Sequence, residues 1–173
     1  MVDILPLNGL IYNKNRIGNI SDVISPPYDV ISPLLEKKLY NLNSYNIINL
    51  VLPWGSGRDK YNNANKILCR WIENDILRFD SKKCFYIFEE NYYLNNKRKK
   101  IIGFIGLTKT EPYSQLKIIP HEQTLSEFKQ DRLNLLRSCR TNFGFVYTLF
   151  FYIHPFTSKT PNNNLIIFLN SFS

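Results

Sequence analysis

Apolar residues between positions 59 and 76 recur at intervals of three and four, which predicts a helix with one buried face. The residues of that face are Tyr61, Ala64, Leu68, Trp71 and Ile72. The segments 84–89 and 101–108 are short, apolar and separated by a polar turn, which predicts an antiparallel hairpin. Alternation between these two patterns is typical of an α/β (α+β mixed) fold, here with a mixed sheet, a β-hairpin and about three helices.

Three further elements are predicted before residue 59. Residues 4–12 contain Pro6 and Gly9 and favour a short, irregular edge strand, because proline cannot donate to a central ladder. Ser32 followed by Pro33 is typical of a helix start, and that helix is expected to run to about Leu42. The aliphatic segment 46–52 predicts a strand.

Two elements are predicted after Pro120. Thr124 and Glu127 have the spacing of a capping box and predict a third helix, whose buried side would carry Phe128, Leu135 and Leu136. The segment 145–153 is almost wholly apolar, which predicts a strand that is buried on both faces.

The chain is basic, with 22 Lys and Arg against 14 Asp and Glu and a formal net charge of +8. Such a charge attracts polyanions where it is gathered on one face. The one dense basic run, residues 97–100, follows Asn95 and Asn96 and is placed by the pattern in a solvated hairpin turn. A nucleic-acid patch is the alternative interpretation of this run.

Three cysteines, Cys69, Cys84 and Cys139, are too few and too widely spaced for a disulfide framework or a metal site. We expect them to be reduced, buried thiols. The sequence shows neither a signal peptide nor an apolar run long enough to cross a bilayer, so the expected location is the cytoplasm, with no membrane partner.

The densest group of reactive side chains surrounds the predicted start of the third helix. His121, Glu122 and Thr124 precede it, and Lys129, Asp131 and Arg132 follow. A helix start favours anions, and His or Glu can act as a general base. The alternative is a capped helix with solvated ion pairs. A zinc-protease HExxH motif is excluded because Leu125 stands where the second histidine is required, and no metal site is predicted.

A second candidate is the segment around Tyr28 and Asp29, which follows Pro26 and Pro27. Prolines stiffen the backbone and can hold the next side chains beside a ligand at little entropic cost. The same residues also form purely structural turns, and the sequence leaves both interpretations open.

The order and spacing of these motifs over about residues 4–149 resemble the family called domain of unknown function 1015. The residues that carry the resemblance are 26–31, Tyr61, Ala64, Trp71, 76–77, 85–88, 103–106, His121, Glu122, Thr124, Lys129 and 131–133. Full-length members of the family are longer, and their second half carries an Asp-Gly-His-His-Arg motif. That motif is similar to motifs of ParB-like nucleotide-binding proteins and free-serine kinases.

The resemblance implies phosphoryl transfer from a nucleotide, ATP or ADP with Mg²⁺, to a small hydroxylated metabolite such as serine. His121 or Glu122 would be the catalytic base. The residues that would bind substrate or phosphate are Thr124, Lys129, Asp131, Arg132, Tyr28 and Asp29. The alternative is a non-enzymatic ParB-like module that binds a nucleotide or nucleic acid.

The sequence contains no Asp-Gly-His-His-Arg, and the family pattern gives way after Leu149. From residue 151 onward Lys159 is the only charged residue. We therefore expect residues 1–150 to be the N-terminal part of a family domain and 151–173 an atypical tail that arose by truncation or frameshift. Such a chain would be incomplete relative to the full-length fold and inactive alone.

Overall fold

The structure is a computed structural model that describes residues 4–109, 112, 114, 126–150 and 165–172. The chain divides into two compact units. The helical unit comprises Leu10–Asp80 and Glu122–Phe143, and the sheet unit comprises Met1–Gly9, Ser81–His121 and Gly144–Ser173. The mixed α/β class expected from the sequence is confirmed.

The helical unit contains helices and one small antiparallel strand pair. Its helices are α1 (Lys14–Ile17), α2 (Pro33–Leu42), α3 (Ile48–Val51), α4 (Asp59–Glu73) and α5 (Ser126–Cys139). The strands β2 (Leu10–Tyr12) and β3 (Leu77–Phe79) pair with each other. The main core cluster consists of Ile17, Val23, Leu50, Ala64, Leu68, Trp71, Ile76, Leu77, Leu135 and Cys139.

The three longer helices, α2, α4 and α5, occur where the sequence predicts them. At the start of α2 the Ser32 hydroxyl oxygen accepts a hydrogen bond from the amide of Leu35 at 3.3 Å, and Pro33 occupies the first turn. The predicted buried face of α4 is correct at Ala64, Leu68 and Trp71. It is wrong at Ile72, which is 36% exposed because it lies about 100° around the helix from Trp71.

The buried side predicted for α5 is correct only at Leu135, which is 2% exposed. Leu136 is 40% exposed, because the buried stripe follows Leu135 and Cys139 and the next residue points elsewhere. Phe128 is 52% exposed. Along α5, Asp131 is the first residue among the described side chains that hydrogen-bonds to α4. Phe128 lies about one turn before this point of contact. Thr124 of the predicted capping box lies outside the described residues.

The strand predicted over 46–52 is wrong. Those residues form a turn and the short helix α3, and they belong to the helical unit rather than to a sheet. The buried side chain of Asn46 holds this segment by donating to the distant carbonyls of Asp22 and Ile24 and by accepting from the nearby amide of Ile48. Contacts far apart in sequence therefore override the strand preference of the aliphatic residues.

The sheet unit is built around a long central strand. Its strands are β1 (Ile4–Leu5), β4 (Tyr86–Leu94), β5 (Lys97–Lys109), β6 (Val146–Phe150) and β7 (Leu165–Phe172). The order is β1–β5–β7–β6, with β4 also paired to β5. β5 and β7 are parallel and the other pairs are antiparallel, so the predicted mixed sheet is confirmed.

The predicted hairpin is confirmed as β4 and β5, which join at Asn95 and Asn96 with φ of 51° and 59°. These left-handed conformations suit a tight turn between twisted strands. The strands are longer than predicted, so residues 97–100 lie in β5, and their placement in the turn is wrong. Their predicted exposure to water is confirmed.

Two other strand predictions need correction. Residues 4–12 do not form one edge strand, because β1 pairs with β5 and β2 pairs with β3 in the helical unit. The last predicted strand begins as β6, but Val146 and Tyr147 are 52% and 40% exposed. Consecutive side chains of a strand point to opposite faces, so neither face of β6 is fully covered at these two positions. Residues 151–153 of the predicted strand lie outside the described residues.

The cysteines differ in exposure. Cys139 is buried and burial raises the pKa of its thiol to about 11, whereas Cys84 is partly buried and Cys69 is exposed. The expectation of buried thiols is therefore wrong for Cys69, which faces outward on α4.

Within the described residues, no group of three or more His, Cys, Asp or Glu could hold a metal ion. No described helix is long and apolar enough to cross a membrane.

Candidate functional site

A cluster of charged and aromatic side chains in the helical unit is centred on Asp131 of α5. One carboxylate oxygen, Oδ1, accepts hydrogen bonds from Lys60 Nζ at 2.5 Å and from the Tyr61 hydroxyl at 2.9 Å. Both donors lie in the first turns of α4. The Ser138 hydroxyl adds a second link by donating to the Tyr61 carbonyl at 3.0 Å. The two helices are thus joined along one side by polar contacts.

The neighbouring residue, Arg132, occupies the other carboxylate oxygen. Its Nη2 and Nε donate to Asp131 Oδ2 at 2.5 and 3.1 Å. Adjacent residues on a helix point in different directions, so this contact needs the long arginine side chain to fold back. The carbonyl of Val51 in α3 holds it there, accepting from Arg132 Nη1 at 2.7 Å. The guanidinium is therefore fixed from both sides.

Tyr28 completes the group by lying under the guanidinium. The Arg132 Cζ atom is 4.4 Å from the centre of the Tyr28 ring, a cation–π arrangement. The two prolines explain the position of the ring, because Pro27 is extended and Tyr28 begins a short 3₁₀ turn, Tyr28–Val30. We name Tyr28, Lys60, Tyr61, Asp131 and Arg132 the Asp131 cluster.

The Asp131 cluster carries two cations, Lys60 and Arg132, and one anion, so its formal charge is +1. Burial by itself raises the pKa of Asp131. Hydrogen bonds from Lys60, Arg132 and Tyr61 outweigh that effect and lower the pKa from 3.8 to about 2. The hydrogen bond to Asp131 raises the pKa of Lys60 above its ordinary value. The charged side chains stay 26–31% exposed, so a solute can reach them.

The depressed pKa of Asp131 predicts how stability depends on pH. Its ordinary value is 3.8, so the ionised group stabilises the fold above pH 4, and this stabilisation is lost as the pH falls toward 2. We expect Asp131→Asn to lower the free energy of unfolding by about 1 to 2 kcal/mol at pH 7, a figure reduced for partial exposure.

Urea unfolding at pH 7, 4 and 2.5 measures this effect. The difference between the native chain and Asp131→Asn should shrink as the pH falls, whereas the exposed control Asp29→Asn should match the native chain throughout. A difference for Asp131→Asn that is the same at all three pH values would contradict the assignment.

The structure brings together three of the predicted site residues, Tyr28, Asp131 and Arg132. Asp29 and Lys129 are exposed, and no hydrogen bond or ion pair links either of them to the Asp131 cluster among the described residues. His121, Glu122 and Thr124 lie outside the described residues, so their proposed roles stay predictions.

Lys60 and Tyr61 were missed as site residues. The apolar pattern of α4 placed Tyr61 on the buried face, and the structure confirms that the residue packs against the core. Its hydroxyl lies at the polar end of that face. A tyrosine beside a lysine at the start of an otherwise apolar face was the signal available in the sequence.

The model of a family described as "Protein of unknown function (DUF1015)" matches residues 4–153, most of the chain. No curated protein and no solved structure matches significantly.

Proposed function

Because the chain belongs to the DUF1015 family, whose function is unknown, we propose a function from the site itself: the Asp131 cluster binds an anionic group of a small molecule. The anion would be a phosphate or a carboxylate. We assign this binding to a nucleotide-dependent small-molecule kinase, of which the chain is the N-terminal part, with a serine-like metabolite as the acceptor. This proposal also places the protein in the cytoplasm, where such nucleotides are available.

The observation that supports the proposal is the excess cation in the Asp131 cluster. A link between α4 and α5 needs one cation for one carboxylate, and Ser138 and Leu135 already join α5 to the rest of the unit. The second cation, Arg132, also pairs with Asp131, and Val51 and Tyr28 hold it in place. A guanidinium held in place loses little entropy when it forms paired hydrogen bonds with phosphate or carboxylate.

In the proposed reaction the hydroxyl oxygen of the acceptor attacks the terminal phosphorus of the nucleotide. The bond from that phosphorus to the leaving phosphate oxygen breaks, and the hydroxyl proton passes to a base, for which the family resemblance suggests Glu122 or His121. Such transfers depend mainly on positioning and on neutralising phosphate charge. Lys60 and Arg132 would supply that neutralisation on the acceptor side.

Asp131 is not suited to binding Mg²⁺ in this arrangement. Oδ1 accepts from Lys60 and Tyr61 and Oδ2 accepts from Arg132, so both oxygens are occupied by donors. The role that fits Asp131 is to orient the two cations. No step of the proposed reaction is assigned to a metal held by the described residues.

Anion binding can be tested by calorimetric titration of the 173-residue chain with inorganic phosphate, O-phosphoserine and ATP. We expect Lys60→Met and Arg132→Lys to weaken binding of phosphate or phosphoserine at least about tenfold, since each loses a charge-assisted contact or its paired geometry. The matched control is Lys66→Met, which removes a cation from the exposed side of α4. Native affinity in both cluster variants, with circular dichroism showing them folded, would contradict the proposal.

A turnover assay separates the kinase from the alternative, a non-enzymatic module that binds a nucleotide or nucleic acid. A full-length family member with the Asp-Gly-His-His-Arg motif should form phosphoserine from ATP or ADP and serine, and the variant equivalent to Arg132→Ala should not. Anion binding without turnover in the full-length protein would favour the module.

A further inference from the structure

The turn end of the β4–β5 hairpin has no third strand beside it among the described residues. β7 pairs with β5 only from Ile102 onward, and β1 pairs with it at Leu107 and Thr108. Residues 90–94 and 97–101 therefore have only each other as partners among the described strands. We name these residues the terminal ribbon.

The terminal ribbon carries cations on both of its faces. Successive side chains of a strand point to opposite sides, so Lys97 and Lys99 lie on one face and Arg98 and Lys100 on the other. All four are exposed. Lys100 pairs with Glu89 at 2.7 Å, and Arg98 donates to the Asn91 side-chain oxygen at 3.2 Å. No described acidic group pairs with Lys97 or Lys99.

Two tyrosines of β4 lie opposite two of these cations in β5. Tyr93 is directly opposite Arg98 and Tyr92 is opposite Lys99. Tyr93 is 77% exposed, although burial of a large ring is ordinarily favourable. Tyr93 presents an exposed ring beside Arg98, and the partly buried ring of Tyr92 lies on the face of Lys99. A ring beside a cation is a combination suited to phosphates, sugars and bases.

The charge of the sheet unit is concentrated in the same region. Its described part holds seven cations and two acids, and four of those cations are in the terminal ribbon. The cations are Lys82, Lys83, Lys97, Arg98, Lys99, Lys100 and Lys109, and the acids are Glu89 and Glu90. The described part of the helical unit shows no such asymmetry, since its acids and bases are interspersed.

We propose that the terminal ribbon is an arm that binds in a groove of duplex DNA. A two-stranded ribbon fits the major groove, which is about 12 Å wide and bordered by phosphates on both sides. Cations on both faces match phosphates on both sides, whereas an acidic protein surface would meet only one face of the ribbon. The major groove of duplex RNA is too narrow for such an arm.

The arm is tested by fluorescence anisotropy of a labelled DNA duplex with the 173-residue chain at several salt concentrations. One double variant, Lys97→Ala with Lys99→Ala, removes the cations of one face, and Arg98→Ala with Lys100→Ala removes those of the other. Because each lost phosphate contact lowers the salt slope by about 0.9, each double variant should lower it by about 2. Affinity at low salt should fall at least about tenfold.

The control is Lys37→Ala with Lys38→Ala, which makes the same charge change on the exposed side of α2 and should keep native affinity. Tyr93→Ala, which leaves every charge in place, should weaken binding without changing the slope. An equal loss of DNA affinity in the α2 control would contradict the proposal that the terminal ribbon binds DNA. An unchanged salt slope in both ribbon variants would contradict it as well. Stronger competition by a single strand or by polyglutamate than by the duplex would overturn the assignment to duplex DNA.

Discussion

Replacing Asn46 with Ala is expected to destabilise the fold by about 3 kcal/mol, because one buried side chain satisfies three backbone groups. Asn46 is 0% exposed. Its amide nitrogen donates to the carbonyls of Asp22 at 2.8 Å and Ile24 at 3.0 Å, and its side-chain oxygen accepts from the Ile48 amide at 3.0 Å. Each buried group left without a partner costs about 1 to 3 kcal/mol, with some of that cost relieved where water enters.

Urea unfolding monitored by circular dichroism gives the change in the free energy of unfolding. Asn41→Ala is the matched control, since Asn41 lies exposed in α2 and alanine is the better helix former. We expect the control to be neutral or slightly stabilising. A loss below about 1 kcal/mol in Asn46→Ala would show that water replaces the side chain and that its hydrogen bonds do not fix α3.

The same residue explains why the strand predicted over 46–52 is wrong. Its aliphatic residues suit a buried strand, and burial was predicted correctly for Ile48, Leu50 and Val51. Their backbone conformation, however, depends on Asp22 and Ile24, more than twenty positions earlier in the chain. By contrast, α2 and α4 are specified by local features, a serine cap with a following proline and an apolar repeat, and these the sequence shows directly.

The candidate site divides in the same way. Asp131 and Arg132 were predicted from the density of charge at a helix start, and Tyr28 from the two prolines before it; the family resemblance then added to both. Lys60 and Tyr61 contribute through contacts with Asp131 that span 71 and 70 positions. Such contacts depend on how α4 and α5 pack, which the helical pattern of each segment does not specify. The density of charged residues along the chain thus identified the members of the Asp131 cluster on α5, Asp131 and Arg132. It missed the members on α4, Lys60 and Tyr61.

The position of the hairpin turn changes the functional interpretation of the basic run, residues 97–100. Asn95 and Asn96 tolerate left-handed backbone conformations and were adjacent in the sequence, so a tight two-residue turn was available. Placing the basic run in the turn made it a featureless solvated loop. Placing it in β5 separates the four cations onto two faces and allows a definite partner to be proposed.

Trp71→Ala is expected to have the largest effect, lowering the free energy of unfolding by about 3 to 5 kcal/mol. The side chain is 4% exposed and lies at the centre of the helical core. Its ring packs at 6.2 Å from the ring of Tyr12 and edge-on at 6.0 Å from that of Tyr45. Tyr12 in turn donates to the Tyr45 carbonyl at 2.8 Å, so a cavity here would loosen a hydrogen-bonded pair as well as the apolar contacts.

Urea unfolding monitored by circular dichroism gives the free energy of unfolding of each variant, and the other tryptophan of the chain, Trp54, provides the control. Trp54 is 62% exposed, so Trp54→Phe should leave stability nearly unchanged and make Trp71 the only tryptophan that reports on core unfolding. Trp71→Phe keeps part of the packing and should lose less than Trp71→Ala, which remains informative if the alanine variant does not fold. Phosphate binding should follow the same order, because Lys60 and Tyr61 reach Asp131 only while α4 is packed. Equal stability of the Trp71→Phe and Trp54→Phe proteins would show that the core does not depend on this ring.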